Sequence, residues 1–372
     1  MLSSGGFGCL YNPSLRCKKI ASSERYITKI QKRSFSATNE FSIGKELTKV
    51  DKNFIYFLPV IEKCDLKLSK AESKMILDSC DVVNSSKLGS LVAGNLPYME
   101  HFKFSDILGS LSSGEYFMCL TENFKYLLSG LEKLGESGII HYDLKLQNIL
   151  FRKLSYTPRI VDFGISIPVN KINPSNLSKY FYIYAPDYVV WPLQASIINY
   201  LLHKTTGTLT EEDCKTIGIN HADNNYVYAQ LSNKSRFDKY KRGCLKYVRT
   251  FKGKERSQVI SDLLATHRMW DNYSLSIIFA SILLTCFPQK EDRNKFIVLW
   301  LELLYDNMDP SMKKSRLPSD TYFRFLDLFY VNDSVDSYLE LKRLVSVNAS
   351  IATTEVLSLT SAQKPSSSSY ES

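Results

Sequence analysis

The run His141-Tyr142-Asp143-Leu144-Lys145-Leu146-Gln147-Asn148, closely followed by Asp162-Phe163-Gly164, restricts the fold more than any other feature of the chain. Between the two lie short apolar runs at 148–151 and 159–161 with polar residues outside them, the pattern of two brief strands joined by a turn. Upstream, from Tyr116 onward, Phe117, Leu120, Phe124, Leu127, Leu131 and Leu134 recur at steps of three and four. That spacing predicts a long amphipathic helix burying one stripe, ended by Gly135 and Gly138. The chain must therefore run from a helix into a polar loop and then into a hairpin with an aspartate near each end.

Two aspartates, a lysine and an asparagine gathered this way suit phosphoryl transfer, which needs a carboxylate to orient the attacking hydroxyl and oxygen ligands for Mg²⁺ on a triphosphate. A lone aspartate in a loop is more often a turn or cap residue, a reading that does not account for both motifs at this spacing. Together they resemble the catalytic loop and metal-binding motif of eukaryotic-type protein kinases. The resemblance implies an α+β fold of two lobes: a small, mostly β N-lobe over 1–99, a hinge at 100–103 and a larger, mostly helical C-lobe over 104–346. It also implies ATP and Mg²⁺ as cofactors, Asp143 as catalytic base, Lys145 steadying the γ-phosphate, and Asn148 and Asp162 as metal ligands. Lys145 points to serine or threonine of protein substrates as acceptor, and Gly164 argues against the nearest rival, small-molecule kinases of the same fold. A partner-binding relative without catalysis is the reading from another class.

Near the start, Ser3-Ser4-Gly5-Gly6-Phe7-Gly8-Cys9-Leu10-Tyr11 resembles the glycine-rich loop that covers the ATP phosphates; a Cβ there would hold the backbone away from them. Ser3 stands where the family's first glycine is expected, so the first strand is cut short. Lys29, in the β-type run 26–30, takes the place of the lysine that contacts the α- and β-phosphates, with Lys32 as the alternative register. Its helix partner is Glu40, followed by Ile43, Leu47 and Val50 as a buried stripe, or else Glu46. Ile27 replaces a small alanine, and Gly44 falls where an apolar residue normally packs behind Glu40. Leu96-Pro97-Tyr98-Met99-Glu100-His101-Phe102 resembles the strand and hinge between lobes, with Met99 at the back of the adenine pocket and the backbone of Glu100 and Phe102 on the adenine edge. Gly5, Gly6 and Gly8, together with Leu2, Leu10 and Leu150, complete the nucleotide-binding set that the resemblance implies.

Ala185-Pro186-Asp187 resembles the family's Ala-Pro-Glu, and Trp270-Asp271-Asn272-Tyr273-Ser274-Leu275-Ser276 the start of the central helix of the large lobe. There Asp271 would bind backbone N–H groups of the catalytic loop. The family joins these motifs by a short connection, so the polar, mixed stretch 190–268 reads as an insertion. The divergent Ala-Pro-Asp and the insertion resemble kinases encoded by large DNA viruses. Within 235–256, Arg236, Lys239, Lys241, Arg242, Lys246, Arg249, Lys252, Lys254 and Arg256 interleave with aromatic residues. This is first a solvated basic helix face and second a docking surface for an acidic protein or nucleic acid. The resemblance further pairs Asp187 with Lys313 or Arg316 in a buried ion pair, and sets Tyr142 where regulated kinases carry a phosphate-binding arginine.

Composition bounds the rest. With 372 residues, 44% hydrophobic and 23% charged, the chain has the make-up of a soluble globular protein, and a net charge of +9 reads mainly as solubility. Its eight cysteines contain no C-x-x-C pair, so neither a zinc site nor a disulfide framework is expected, and a reducing intracellular compartment, cytoplasmic or nuclear, follows. No secretory leader is visible, and the apolar stretch 276–287 is too short to span a bilayer and should be a buried helix. The Ser/Thr-rich end, 347–372, has the composition of a disordered tail.

Overall fold

The computed structural model describes residues 3–5, 8–17, 23–66, 68–80, 90–103, 113–291 and 293–330; the expected tail at 347–372 lies outside them. The N-lobe is an antiparallel sheet in the order β1 (Ser3–Gly5), β2 (Gly8–Tyr11), β3 (Tyr26–Lys32), β6 (Leu91–Pro97), β5 (Glu62–Cys64). Against it lies α1 (Phe35–Val50), started by Ser34, whose hydroxyl accepts from Ala37 N. Of its buried residues, Ala37, Glu40, Ile43, Gly44 and Leu47 follow helical spacing and form one stripe, with Asn39 buried beside it. Gly44, read as a departure from pattern, is required by packing: a Cβ there would sit 1.8 Å from the Val60 carbonyl oxygen. The absent side chain lets α1 lie directly on the backbone that enters β5.

The cysteine expectation is corrected. Cys9 is bonded to Cys80 and Cys17 to Cys64, spanning 71 and 47 residues. Cys9 is opposite Ile30, Ile30 opposite Ala93, and Ala93 opposite Cys64, so these residues line one row on one face, and the bonds tie its two ends to Cys80 and Cys17 outside the row. All four bonded cysteines share a small core with Tyr11, Leu15 and Ile76 beneath α2 (Lys70–Ser79). The inference of a reducing compartment loses the ground it stood on.

The C-lobe begins with the expected long helix, α3 (Ser113–Glu136), on which Leu120, Phe124, Leu127, Leu131 and Leu134 are all buried. Gly138 then turns the chain at φ +67° into β8 (Ile139–Ile140). The hairpin is present as β9 (Ile149–Arg152) and β10 (Pro158–Val161), flanked by β7 (His101–Phe102) and β4 (Phe57–Leu58). β11 (Ile167–Pro168) pairs with β8 and holds the chain after Asp162-Phe163-Gly164 against the catalytic loop.

The stretch 190–268, read as an insertion, packs as part of the large lobe. It forms α4 (Leu193–His203), α5 (Glu211–Asn224), α6 (Lys234–Arg249) and α7 (Arg256–Leu264), with a short turn of helix at Tyr226–Ala229. Ile197, Ile198, Cys214, Ile217, Tyr226, Tyr240, Cys244, Val248 and Leu263 belong to the same core as α8 (Trp270–Cys286), α9 (Lys295–Asn307) and α10 (Pro318–Asp327). Gly218 brings α5 against α6, since a Cβ there would stand 3.0 Å from Leu245 Cα. The polar look of the sequence came from helices that are amphipathic. The helical run His267–Cys286, α8 with the turn before it, is the one among the described residues long and apolar enough to cross a membrane by length and composition, and 89% of the window that passes is buried inside the protein. It is the core helix expected at 276–287.

Candidate active site

The hairpin delivers its polar groups to one place. Asp143 Oδ1 accepts from Lys145 Nζ at 2.9 Å and from the Tyr188 hydroxyl, and Oδ2 accepts from Asn148 Nδ2 at 2.8 Å. Asn148 Nδ2 also donates to the Asp143 carbonyl at 2.8 Å, which fixes the amide so that its oxygen is the end left for a ligand. The loop is held from below by Asp271, whose carboxylate accepts from His141 N at 2.7 Å and Tyr142 N at 3.1 Å. This is the bracing role expected of it; burial pushes its carboxyl above the usual range. Tyr142 and Asp162 both adopt left-handed backbone, φ +67° and +65°, a conformation that costs a non-glycine residue about 1–2 kcal/mol and persists where its surroundings impose it.

Across the cleft, Lys29 Nζ donates to Glu40 Oε1 at 2.8 Å and to Asp162 Oδ1 at 3.0 Å. Glu40 is thus the helix partner, while Glu46 is engaged with Lys49 on the surface. Gln31 Nε2 donates to Glu40 Oε2 at 3.0 Å, a support the sequence reading missed although it stands two residues after Lys29 on the same face of β3. Burial opposes the charge on Lys29, but Asp162 and Glu40 outweigh it and raise its pKa. For Asp162 burial likewise acts upward and the Lys29 ammonium prevails, lowering its pKa. Nearly a third of the Asp162 side chain, 31%, stays exposed to the cleft.

Helix α1 also grips the segment that follows. Ser36 Oγ donates to Gly164 O at 2.5 Å and Asn39 Nδ2 to Ser166 O at 2.7 Å, while Phe163 is buried edge-on to Phe57 and His141. Gly5 pairs with Gly8 at the open end of β1 and β2; a Cβ on Gly8 would meet Ile30 O at 2.4 Å. Leu2 and Gly6 lie outside the described residues.

Ile27 pairs with Leu96, and these two form a cluster with Val60, against which Leu10, Phe41 and Tyr98 pack. Leu96 is thus buried against Ile27 and Val60, while Met99 follows the end of β6 with its carbonyl 2.9 Å from His101 Nδ1. Glu100 O accepts from Lys153 N at 3.0 Å and Phe102 is paired with Phe151 in the β7–β9 ladder. Leu150 is half-buried on β9. Asp187 is exposed, and among the described residues it makes no ion pair with Lys313 or Arg316. Of the basic run, Arg236 pairs with Glu302, Lys241 with Asp223, and Arg249 and Lys252 with Glu211, which leaves Lys239, Arg242 and Lys246 exposed along one side of α6.

Comparison with known proteins agrees with this geometry. The family model described as protein kinase domain matches residues 3–190. The chain is 37% identical over 71 residues to a human cell division cycle 7-related protein kinase, a match that covers 19% of this chain and 12% of that protein, with the same figures for the mouse protein. It is 40% identical over 57 residues to a probable serine/threonine-protein kinase fnkB of Dictyostelium discoideum, covering 15% of this chain and 10% of that one.

Proposed function

The chain belongs to the protein kinase family, and from that premise we propose that it transfers the γ-phosphoryl group of Mg-ATP to serine or threonine hydroxyls of protein substrates. The observation that carries this reading is the closed set of contacts from Lys29 to Glu40 and Asp162 on one side of the cleft and among Asp143, Lys145 and Asn148 on the other. A catalytically silent relative would have no need to keep both halves in register.

The donor set fits Mg²⁺: a carboxylate open to the cleft on Asp162 and the amide oxygen of Asn148 are hard oxygen ligands. Bound there with the triphosphate, the metal would neutralise charge that develops on the phosphoryl oxygens. Lys29, held charged by its two acidic neighbours, would contact the α- and β-phosphates. Gly5 and Gly8 would let the backbone approach from above. Asp143 would accept a hydrogen bond from the incoming hydroxyl and take its proton, with Lys145 beside it to meet the γ-phosphate. The adenine edge would meet the chain between Pro97 and Met99. Any acidic partner would dock on Lys239, Arg242 and Lys246.

The experiment is transfer of label from [γ-³²P]ATP to generic protein substrates with Mg²⁺, followed by phosphoamino-acid analysis. Label on phosphoserine or phosphothreonine is expected; label on phosphotyrosine alone, or on a small molecule, would overturn the acceptor assignment.

A further inference from the structure

Tyr188 lies outside every motif read from the sequence, yet its hydroxyl donates to Asp143 Oδ1 and accepts from Lys145 Nζ at 3.2 Å. Lys145 Nζ donates to the same Oδ1 at 2.9 Å, so three side chains close a ring around one carboxylate oxygen. An ionised carboxylate offers about two lone-pair sites per oxygen. Both sites of Oδ1 are used, whereas among the described residues Oδ2 carries only Asn148, which leaves it one site for an acceptor hydroxyl. The terminal torsion of an aspartate is soft when nothing holds it.

The phenol itself is held. Tyr188 is 6% exposed, meets Trp191 edge-on at 5.1 Å, and its backbone N–H donates to Ala185 O at 3.1 Å. Trp191 is anchored in turn by its Nε1–H, which donates to the Tyr142 carbonyl at 2.7 Å. The Lys145 ammonium lies 5.7 Å from the centre of the Tyr188 ring. A ring packed this way is a fixture of the catalytic loop and is poorly suited to swinging in and out of the cleft.

We propose that Tyr188 is a positioning residue for phosphoryl transfer: its hydroxyl fixes the plane of the Asp143 carboxylate and the place of Lys145, so that Oδ2 is presented to the acceptor hydroxyl. This rests on the phosphotransferase reading above. Loss of the hydroxyl frees the carboxylate to rotate and lowers the fraction of bound substrate in the reactive geometry, which reduces kcat and leaves binding alone.

The test compares wild type, Tyr188→Phe and Asp143→Asn for peptide phosphorylation, Mg-ATP binding and thermal unfolding. Tyr188→Phe is expected to lose roughly 10- to 100-fold in kcat with KM for peptide and Kd for Mg-ATP within about twofold of wild type. p-Aminophenylalanine at 188, which restores a donor at the same point, should recover activity, whereas p-methylphenylalanine of matching size should not. That pair gives the same contrast should the phenylalanine variant fail to fold. Unchanged kcat in Tyr188→Phe, or equal rates from the amino and methyl forms, overturns the assignment while leaving the enzyme reading intact. A rise in kcat overturns it too and makes the phenol a block on the base. Wild type that transfers no phosphate overturns both readings, which separates the two failures.

Discussion

At the scale of single residues the contacts among Asp143, Lys145 and Asn148 were legible because these side chains sit in one contiguous loop, where residue type limits what each can bond. Tyr142 is the informative substitution. It is buried, stacked on Trp191 with ring centres 4.6 Å apart, and its hydroxyl accepts from Asn199 Nδ2 at 2.8 Å; burial pushes its pKa up. A neutral phenol turned into the core cannot receive a phosphate of about −1.5 to −2 charge. We therefore predict that phosphatase treatment leaves the initial rate unchanged, and that replacing Ser175, Ser178, Tyr180 and Tyr182 by alanine or phenylalanine changes it little. A large loss restored by rephosphorylation would refute this. Glu40→Gln should act oppositely, since it leaves Lys29 beside Asp162 without its charged helix partner; breaking a buried pair from one side costs about 3–5 kcal/mol, read as weaker Mg-ATP binding and a lower Tm. What residue types could not reveal was any role carried by backbone, as at Glu100 and Phe102, or by a side chain whose partners are distant in sequence, hence the unnoticed Tyr188.

At the scale of elements the strands and helices followed periodicity closely, and α3, β9 and β10 fell where apolar spacing put them. The disulfides were invisible because pairing depends on which distant residues the fold brings side by side, 71 and 47 residues apart here, and C-x-x-C spacing tests only local pairs. Cys9 belongs to the strand that leaves the glycine-rich turn, so its bond to Cys80 ties the roof of the nucleotide site to the end of α2. Removing a native disulfide typically costs 2–5 kcal/mol. Replacing Cys9 and Cys80 by serine, or adding a reductant, should lower the unfolding temperature and weaken Mg-ATP binding, measured by differential scanning fluorimetry with and without nucleotide. Equal stability of oxidised and reduced protein would contradict a structural role for the bond. The stretch 190–268 looked polar and mixed because its helices carry a strongly polar outer face, and only their internal spacing marks the residues that join the core.

At the scale of the whole molecule, α5, α6 and α8 meet around His221, which is buried and lies 3.0 Å from the Tyr240 hydroxyl and 3.3 Å from Ser196 Oγ. Burial pushes its pKa from 6.5 down to about 3. Between those values the unfolded chain binds a proton that the folded chain refuses, so stability is present above about 6.5 and falls as pH drops through the window. The slope is at most about 1.4 kcal/mol per pH unit for one group. Denaturant midpoints should decline from pH 7 to 5, and less steeply in His221→Gln; identical slopes would assign the effect elsewhere. The lobe so stabilised holds Asp271 under the catalytic loop and Asp143 opposite Lys29, and the account as a whole claims that this arrangement is a working phosphotransferase. The most direct test measures Mg-ATP affinity and phosphoryl transfer side by side in wild type and Asp143→Asn. The account predicts similar affinity in both with transfer lost only in the variant, by several kcal/mol of barrier at ~1.4 kcal/mol per tenfold. Wild type that binds no Mg-ATP, or transfer that survives in Asp143→Asn, would contradict it.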